Sequence, residues 1–181
     1  MRIVGGKYRN RRLHPPKEME ARPTTDFAKE GLFNVLQHSE VLEGIRVLDL
    51  YAGTGNISLE FLSRGAAEVV SVEQDRRLVD FMLRTAKELG ENGWRAVKAD
   101  VGTFLRTHRG RYDIVFADPP FHMEGIEAIP TLVSEAGLLG SEGILIVEHH
   151  SKVDLSKLPG FQHTRSYGLI RFSFFRPKPT P

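Results

Sequence analysis

Residues 46–64 read RVLDLYAGTGNISLEFLSR. The first eight of these are almost continuously apolar, as in a strand buried on both faces. Residues 56–64 instead space their apolar side chains at helical intervals, and Gly65 follows as a stop. Between the two segments lie Gly53 and Gly55, which suit a tight strand-to-helix turn. A buried strand that turns at once into a helix is the first half of a parallel βαβ unit. The rest of the chain can be tested against that beginning.

The pattern repeats on the C-terminal side. EVVSVEQD (68–75) reads as a strand and RRLVDFMLRTAKELG (76–90) as a helix. WRAVKAD (94–100) is again a strand, followed by a short helix near 102–108 and then the strand YDIVFAD (112–118). A helix falls within 124–138, and GILIVEHH (143–150) is a fifth strand. On the N-terminal side RPTTDFAKEGLFNVLQH (22–38) reads as a helix capped by Thr25 or Asp26, with Ala28, Leu32, Val35 and Leu36 on one face. Such alternation predicts an α/β fold with right-handed crossovers and a mostly parallel sheet covered on both faces. The tail differs: strand-like runs 161–167 and 170–176 flank Gly168, so the sheet should end in an antiparallel hairpin. No internal repeat or low-complexity linker interrupts the chain.

Composition narrows the function classes. A chain of 181 residues, 40% hydrophobic and 27% charged, fits one soluble domain with at most a small appendage. No apolar run approaches the roughly 20 residues of a membrane span and no signal peptide opens the chain, so the expectation is a cytoplasmic protein. The lack of cysteine removes disulfides, thiolate nucleophiles and thiolate metal sites. It also argues against pyrimidine C5 methylation, which generally needs a cysteine nucleophile. His149 and His150 face opposite sides of a strand and read as rim residues, so no metal site is expected.

Charge is unevenly placed. Residues 1–17 carry Arg2, Lys7, Arg9, Arg11, Arg12 and Lys17 with no acid, a local +6 in a chain of net +2, which leaves −4 elsewhere. A basic arm (1–21) on a mildly acidic body (22–181) suits a polyanionic partner. Tyr8, set among the arginines, could stack on an unpaired base. Pro15, Pro16 and Pro23 bracket the joint.

In an open parallel sheet, ligands gather at the carboxyl ends of the strands beside the switch point. Asp49, Glu73 with Asp75, Asp100 and Asp118 arrive there from four successive strands. Each acid alone also reads as a helix cap or a solvated loop end; four on one rim point to a ligand. A dinucleotide fingerprint would need glycine or alanine where Ser58 stands. Asp49 would also repel a pyrophosphate. Glu73, at the end of the second strand, is placed for two ribose hydroxyls. An adenosine carrying a cation and no phosphates meets these constraints, and S-adenosylmethionine is that molecule.

VFADPPFH (115–122) supplies the other half of the chemistry. An exocyclic amino group is a poor nucleophile because its lone pair is delocalised. The Asp118 carboxylate and the Pro119 carbonyl could accept its two hydrogens, and Phe121 could stack on the base. This logic serves any planar amino group, whether on guanine, on adenine N6 in DNA or RNA, or on a glutamine side chain. A dinucleotide oxidoreductase, disfavoured by Ser58, and a catalytically silent RNA-binding module are the readings from other classes.

Five stretches, in order, resemble the bacterial 16S ribosomal RNA guanine-N2 methyltransferase family (RsmD family): IVGGKYRNRRL, RPTTDFAKEGLFNVL, LDLYAGTGNISLEFLSRGA, VEQD and FADPPF. The resemblance runs almost end to end. It implies a Rossmann-like class I methyltransferase with a seven-stranded sheet and a basic N-terminal β-hairpin. It also implies S-adenosylmethionine as donor and, as partner, 16S rRNA in a 30S subunit or assembly intermediate, met by a monomer. By the same resemblance Gly53 and Gly55 admit the methionine portion, Glu73 holds the ribose, Asp100 holds the adenine amino group, and Arg22 and Thr24 close over the cofactor. Asp49, Tyr51, Asn56 and Val101 complete the expected cofactor set. Arg2, Lys7, Tyr8, Arg9, Arg11 and Arg12 form the expected RNA set, and Asp118, Pro119 and Phe121 the catalytic one.

Overall fold

The computed structural model describes residues 1–16 and 25–176. Arg22 and Thr24, and the start of the helix expected at 22–38, lie outside the described residues. Seven strands form one sheet: β1 (Arg46–Leu50), β2 (Glu68–Glu73), β3 (Trp94–Lys98), β4 (Tyr112–Ala117), β5 (Leu139–His150), β6 (Phe161–Tyr167) and β7 (Ile170–Phe175). Their order is β3-β2-β1-β4-β5-β7-β6, parallel except that β7 runs antiparallel to both its neighbours. The helices are α1 (Asp26–Ser39), α2 (Asn56–Ser63), α3 (Arg76–Leu89), α4 (Val101–Thr107) and α5 (Ile129–Glu135). From β1 the chain steps outward to β2 and β3, then returns to place β4 on the other side. The switch point is therefore the crevice at the carboxyl ends of β1 and β4, where Leu50 pairs with Ala117.

Strand alternation divides the core in two. Val47, Val69, Phe116, Ile146 and Phe172 face α1 and α2, packing with Phe33 and Phe61. Leu48, Leu50, Val72, Val115 and Leu145 face the other way and pack with Phe104, Ile129 and Val133. Each such side chain contributes roughly 1.5–3 kcal/mol by leaving water. Period two also fixes which polar residues share a face. Asp49, two residues from Val47, and Glu148, two from Ile146, belong to the α1/α2 side, and Asp118 continues that side of β4 beyond Phe116.

Several boundaries differ from the sequence reading, each for a local reason. β1 stops at Leu50 because Tyr51 takes a positive φ of 60°. β2 and β3 stop short of Asp75 and Asp100 because both acids serve as helix caps. α1 is capped by Thr25, whose side chain accepts from the Ala28 N–H. The helix expected within 124–138 is a 3-10 turn, Ile126–Ala128, leading into the short α5.

Among the described residues, the N-terminal segment expected as a β-hairpin folds back antiparallel without a named strand. It folds back through Ile3 N–H to Arg11 C=O (3.0 Å) and Leu13 N–H to Met1 C=O (2.9 Å), with one isolated antiparallel bridge between Arg2 and Arg12 and a 3-10 turn at Gly6–Tyr8. Its backbone is also engaged by α2. Glu60 accepts from the N–H groups of Val4 and Gly5, and Ser63 accepts from Tyr8 N–H at 2.9 Å. At Gly6 (φ +71°) an added Cβ would lie 1.8 Å from the Ser63 carbonyl oxygen, so only glycine permits this approach. Ile3 is fully buried in the α1/α2 core.

Candidate active site

The turn after β1 carries the first elements of the site. Tyr51 holds a left-handed backbone conformation that costs a non-glycine residue about 1–3 kcal/mol. Ala52 N–H then bonds the Val72 carbonyl at 3.0 Å, and Gly55 N–H bonds the Ala52 carbonyl at 2.8 Å. The two glycines do different work. An added Cβ at Gly55 (φ +73°) would strike Trp94 at 2.5 Å and Met82 at 2.8 Å, so Gly55 is required by packing. At Gly53 (φ +55°) the same atom would meet only the Tyr51 carbonyl oxygen, 4.0 Å away. The space over Gly53 can therefore admit a ligand's backbone.

Glu73, at the end of β2, braces this turn. One carboxylate oxygen accepts from Gly53 N–H at 2.9 Å, and the other from Asp75 N–H at 2.8 Å. Carboxylate oxygens accept more than one bond, so a half-buried Glu73 remains competent for ribose hydroxyls. Asp75 caps α3 through Arg77 N–H, and the Arg77 side chain, helped by that N–H, pulls its pKa down to about 2. Asp100 caps α4: one of its oxygens takes both Thr103 N–H (2.9 Å) and Thr103 Oγ1–H (3.0 Å), and these bonds lower its pKa. Val101, the next residue, is buried.

Asp49 is only 2% exposed. Burial pushes its pKa up to about 7, against the opposing pull of Ser58. The Ser58 hydroxyl donates to Asp49, lies 2.6 Å from the Ser71 hydroxyl, and Ser71 accepts from Trp94 Nε1 at 2.8 Å. Thus the residue that breaks a dinucleotide fingerprint is the one that holds the acid.

Asp118 follows β4 directly, with its N–H on the Leu50 carbonyl at 3.3 Å, so it sits beside the Tyr51 turn. Its pKa is raised well above the usual carboxylate range, first by burial and then by the nearby carboxyls of Glu148 and Asp49. Glu148, 1% exposed on β5, was missed by the sequence reading. Its signal was an acid inside an apolar strand. Three acids drawn together, two of them fully buried, repel one another, and a cation placed among them would relieve that repulsion. The residues present therefore fit a positively charged adenosyl donor.

Pro119 is buried and Pro120 exposed, and Met123 N–H bonds the Pro120 carbonyl at 2.8 Å to close a turn. Phe121 is 45% exposed, a large unburied ring at the crevice mouth. The His150 ring meets it edge-on, with centroids 6.1 Å apart. His149 points elsewhere and is buried against the Ser173 hydroxyl at 2.8 Å. The two histidines are thus separated as strand alternation requires, and His150 supports the Phe121 ring.

This chain matches the family described as conserved hypothetical protein 95 across residues 1–176. It is 35% identical over 159 residues to ribosomal RNA small subunit methyltransferase D of Escherichia coli, covering 88% of this chain and 79% of that one. The corresponding Haemophilus influenzae protein is 31% identical over 156 residues, 82% and 78% of the two chains. The chain belongs to the ribosomal RNA small subunit methyltransferase D family. Solved structures agree. Escherichia coli yhhF superposes with a TM-score of 0.87 at 30% identity, covering 98% of both chains. A Thermus thermophilus 16S rRNA N2 G1207 methyltransferase, solved with AdoMet and guanosine, superposes with a TM-score of 0.70 at 26% identity over 88% of this chain and 45% of that one.

In this methyltransferase D family member the basic N-terminal residues divide into two groups. Arg2 pairs with Asp26 at 2.9 Å, Lys7 pairs with Glu91, and the half-buried Tyr8 donates its hydroxyl to the same Glu91. Those three dock the segment on the body, and the Tyr8 ring is not held out in solvent. Arg9, Arg11 and Arg12 are exposed. Arg11 and Arg12 line a cleft of about 380 Å³ with His14 and, from α3, Arg84 and the acid Glu88. Asn56 is buried with its side-chain oxygen accepting from Lys29 Nζ at 2.9 Å.

Proposed function

We propose that this protein transfers a methyl group from S-adenosylmethionine to the exocyclic N2 amino group of one guanine in 16S rRNA, the RNA being free or within a 30S particle. The observation that carries this reading is the Asp118–Pro119–Phe121 run, set at the switch point beside the glycine turn and next to a buried cluster of acids. Membership of the family supplies the ribosomal substrate. The N2 position is supported by the name of the structural relative solved with guanosine.

The donor, when bound, offers an electrophilic methyl on a sulfonium. Glu73 and the turn at Gly53 would hold its ribose and methionine portions, with Tyr51, Asn56, Asp100 and Val101 around it and Arg22 and Thr24 in the segment expected to close over it. Asp49 and Asp118 would face the positive charge. The Phe121 ring stacks on the extruded guanine and fixes its plane. The Asp118 carboxylate and the Pro119 carbonyl accept the two amino hydrogens, aiming the nitrogen lone pair at the methyl. Asp118 would hold the amino nitrogen for transfer of the electrophilic methyl, and the proton released from nitrogen would pass to Asp118 or to water. In-line positioning of this kind can supply roughly 7–11 kcal/mol. Residues 1–21, through Arg9, Arg11 and Arg12, meet RNA phosphates, and residues 22–181 carry the chemistry, with the monomer as the working unit.

The test supplies methyl-labelled donor with naked 16S rRNA, with 30S particles and with DNA, each separately, and maps the labelled nucleotide. Label on guanine N2 of the rRNA is expected. Label on adenine N6, or on protein, would replace this reading with a different amino acceptor.

A further inference from the structure

Lys29 lies on α1 and is 0% exposed, yet it is a lysine. Its Nζ donates to the backbone carbonyl of Arg2 and, at 2.9 Å, to Asn56 Oδ1. The same ammonium stands 3.9 Å from Glu60 Oε1 and 4.0 Å from Asp26 Oδ1. Glu60 Oε1 in turn accepts from Val4 and Gly5 N–H. Lys29 therefore touches the N-terminal ribbon directly at Arg2 and, through Glu60, near Val4 and Gly5. On its other side it touches Asn56, the first residue of α2 and the immediate neighbour of Gly55 in the cofactor turn. A second contact spans the same gap, from the Thr54 hydroxyl to the Met1 sulfur at 3.4 Å.

A buried lysine–glutamate pair is a poor way to add stability, since desolvation of both charges offsets most of their attraction. Burial lowers the Lys29 pKa and raises that of Glu60, so both are pushed toward neutrality. What the arrangement does provide is geometry. An ammonium has three donors on one atom, and a shift of the ribbon at Arg2 or of the turn at Asn56 would strip it of a partner with no water to replace it.

We propose that Lys29 is a positioning residue that couples the N-terminal ribbon to the cofactor turn, so that donor binding and RNA binding strengthen one another. The proposal rests on the reading that the donor occupies the turn and RNA the ribbon. Ordering either side fixes the lysine's partners and so favours the ordered form of the other. Linkage then requires the two enhancements to be equal.

The experiment measures S-adenosylhomocysteine affinity by calorimetry, with and without a 16S rRNA fragment containing the methylated guanine. It then measures affinity for that fragment with and without S-adenosylhomocysteine. In the wild type both ratios are expected to be about tenfold and equal, within the usual 5–150-fold span of coupled sites. In Lys29→Met both should fall to about one, whatever happens to each affinity alone, and Lys29→Arg should recover part of the coupling. Should Lys29→Met fail to fold, amide exchange in the wild type decides. S-adenosylhomocysteine should slow exchange at Ile3 and Val4, which are not among the expected donor contacts. Ratios of one in the wild type, retained coupling in Lys29→Met, or unchanged exchange at Ile3 and Val4 would each overturn the proposal. If donor and RNA bind but do so independently, only the coupling is lost; if either does not bind, the functional reading falls with it.

Discussion

Asp49 and Asp118 have carboxyls whose protonation is set by their surroundings more than by their own chemistry. With a folded pKa of about 7 against an ordinary 3.8, Asp49 holds a proton in the native state that the unfolded chain releases. The associated stability is complete below about pH 4 and is lost as pH rises through about 7, an effect on the order of a few kcal/mol. Thermal melts of the unliganded protein should therefore show wild type losing ground to Asp49→Asn between about pH 4 and pH 7, with no further change above about pH 8. The donor's affinity should run the other way. A cation prefers ionised Asp49, so binding is expected to tighten several-fold from about pH 6 to pH 8 in the wild type, with a flat profile in Asp49→Asn. Replacing Asp118 with alanine should lower the methyl-transfer rate by about 10²–10⁴-fold while donor binding, with one facing carboxylate fewer, stays measurable by calorimetry. Residual turnover above a tenth would remove Asp118 from its role. Of the acids, Asp49, Glu73, Asp100 and Asp118 were legible as residues reaching one rim. Glu148 was not, because a buried strand that contains one acid reads first as a strand.

At the level of elements, the strand–turn–helix unit from β1 to α2 serves two needs, and its two glycines separate them. Gly55→Ala places a methyl against Trp94 and Met82 at a φ of +73°, so unfolding should become easier by about 2–4 kcal/mol in chemical denaturation. Gly53→Ala meets nothing within the protein closer than 4.0 Å. It should cost only about 1–2 kcal/mol of stability, from its φ alone, while weakening donor binding at least tenfold by calorimetry. Equal effects of the two substitutions on donor affinity would contradict this division. The sequence marked both glycines and could not tell them apart, since the difference lies in Trp94 of β3 and Met82 of α3, which only the packed fold brings to Gly55. Ser58 teaches the same point. As a motif position it excluded a dinucleotide; as a side chain it anchors Asp49 through a chain that ends on Trp94.

For the whole molecule, the distribution of charge matters more than its sum. Arg9, Arg11 and Arg12 are exposed on a ribbon whose Arg2 and Lys7 are engaged by Asp26 and Glu91. Changing all three to alanine should reduce the slope of log affinity against log salt for RNA by about 2, taking roughly 0.7 per phosphate contact on single strands. Donor affinity should stay near wild type, and an unchanged slope would mean that these arginines do not meet phosphate. The basic segment was visible in the sequence as charge, but its docking was not. Ile3 belongs to the core, Glu60 and Ser63 of α2 take up its backbone, and Lys29 joins it to the cofactor turn. Among the described residues no helix is long and apolar enough to cross a membrane.

The sequence by itself determined the alternating α/β order, the antiparallel finish, the acids at the strand ends and the D-P-P-F run, because hydrophobic period and turn chemistry act over a few residues. Tertiary structure alone decided the rest. It brought Glu148 beside Asp118, set His150 against Phe121, and docked the N-terminal fold-back onto α1 and α2. Those outcomes depend on register and on close approach between segments far apart in the chain. A local pattern can say which face a side chain takes, but not what it will meet there.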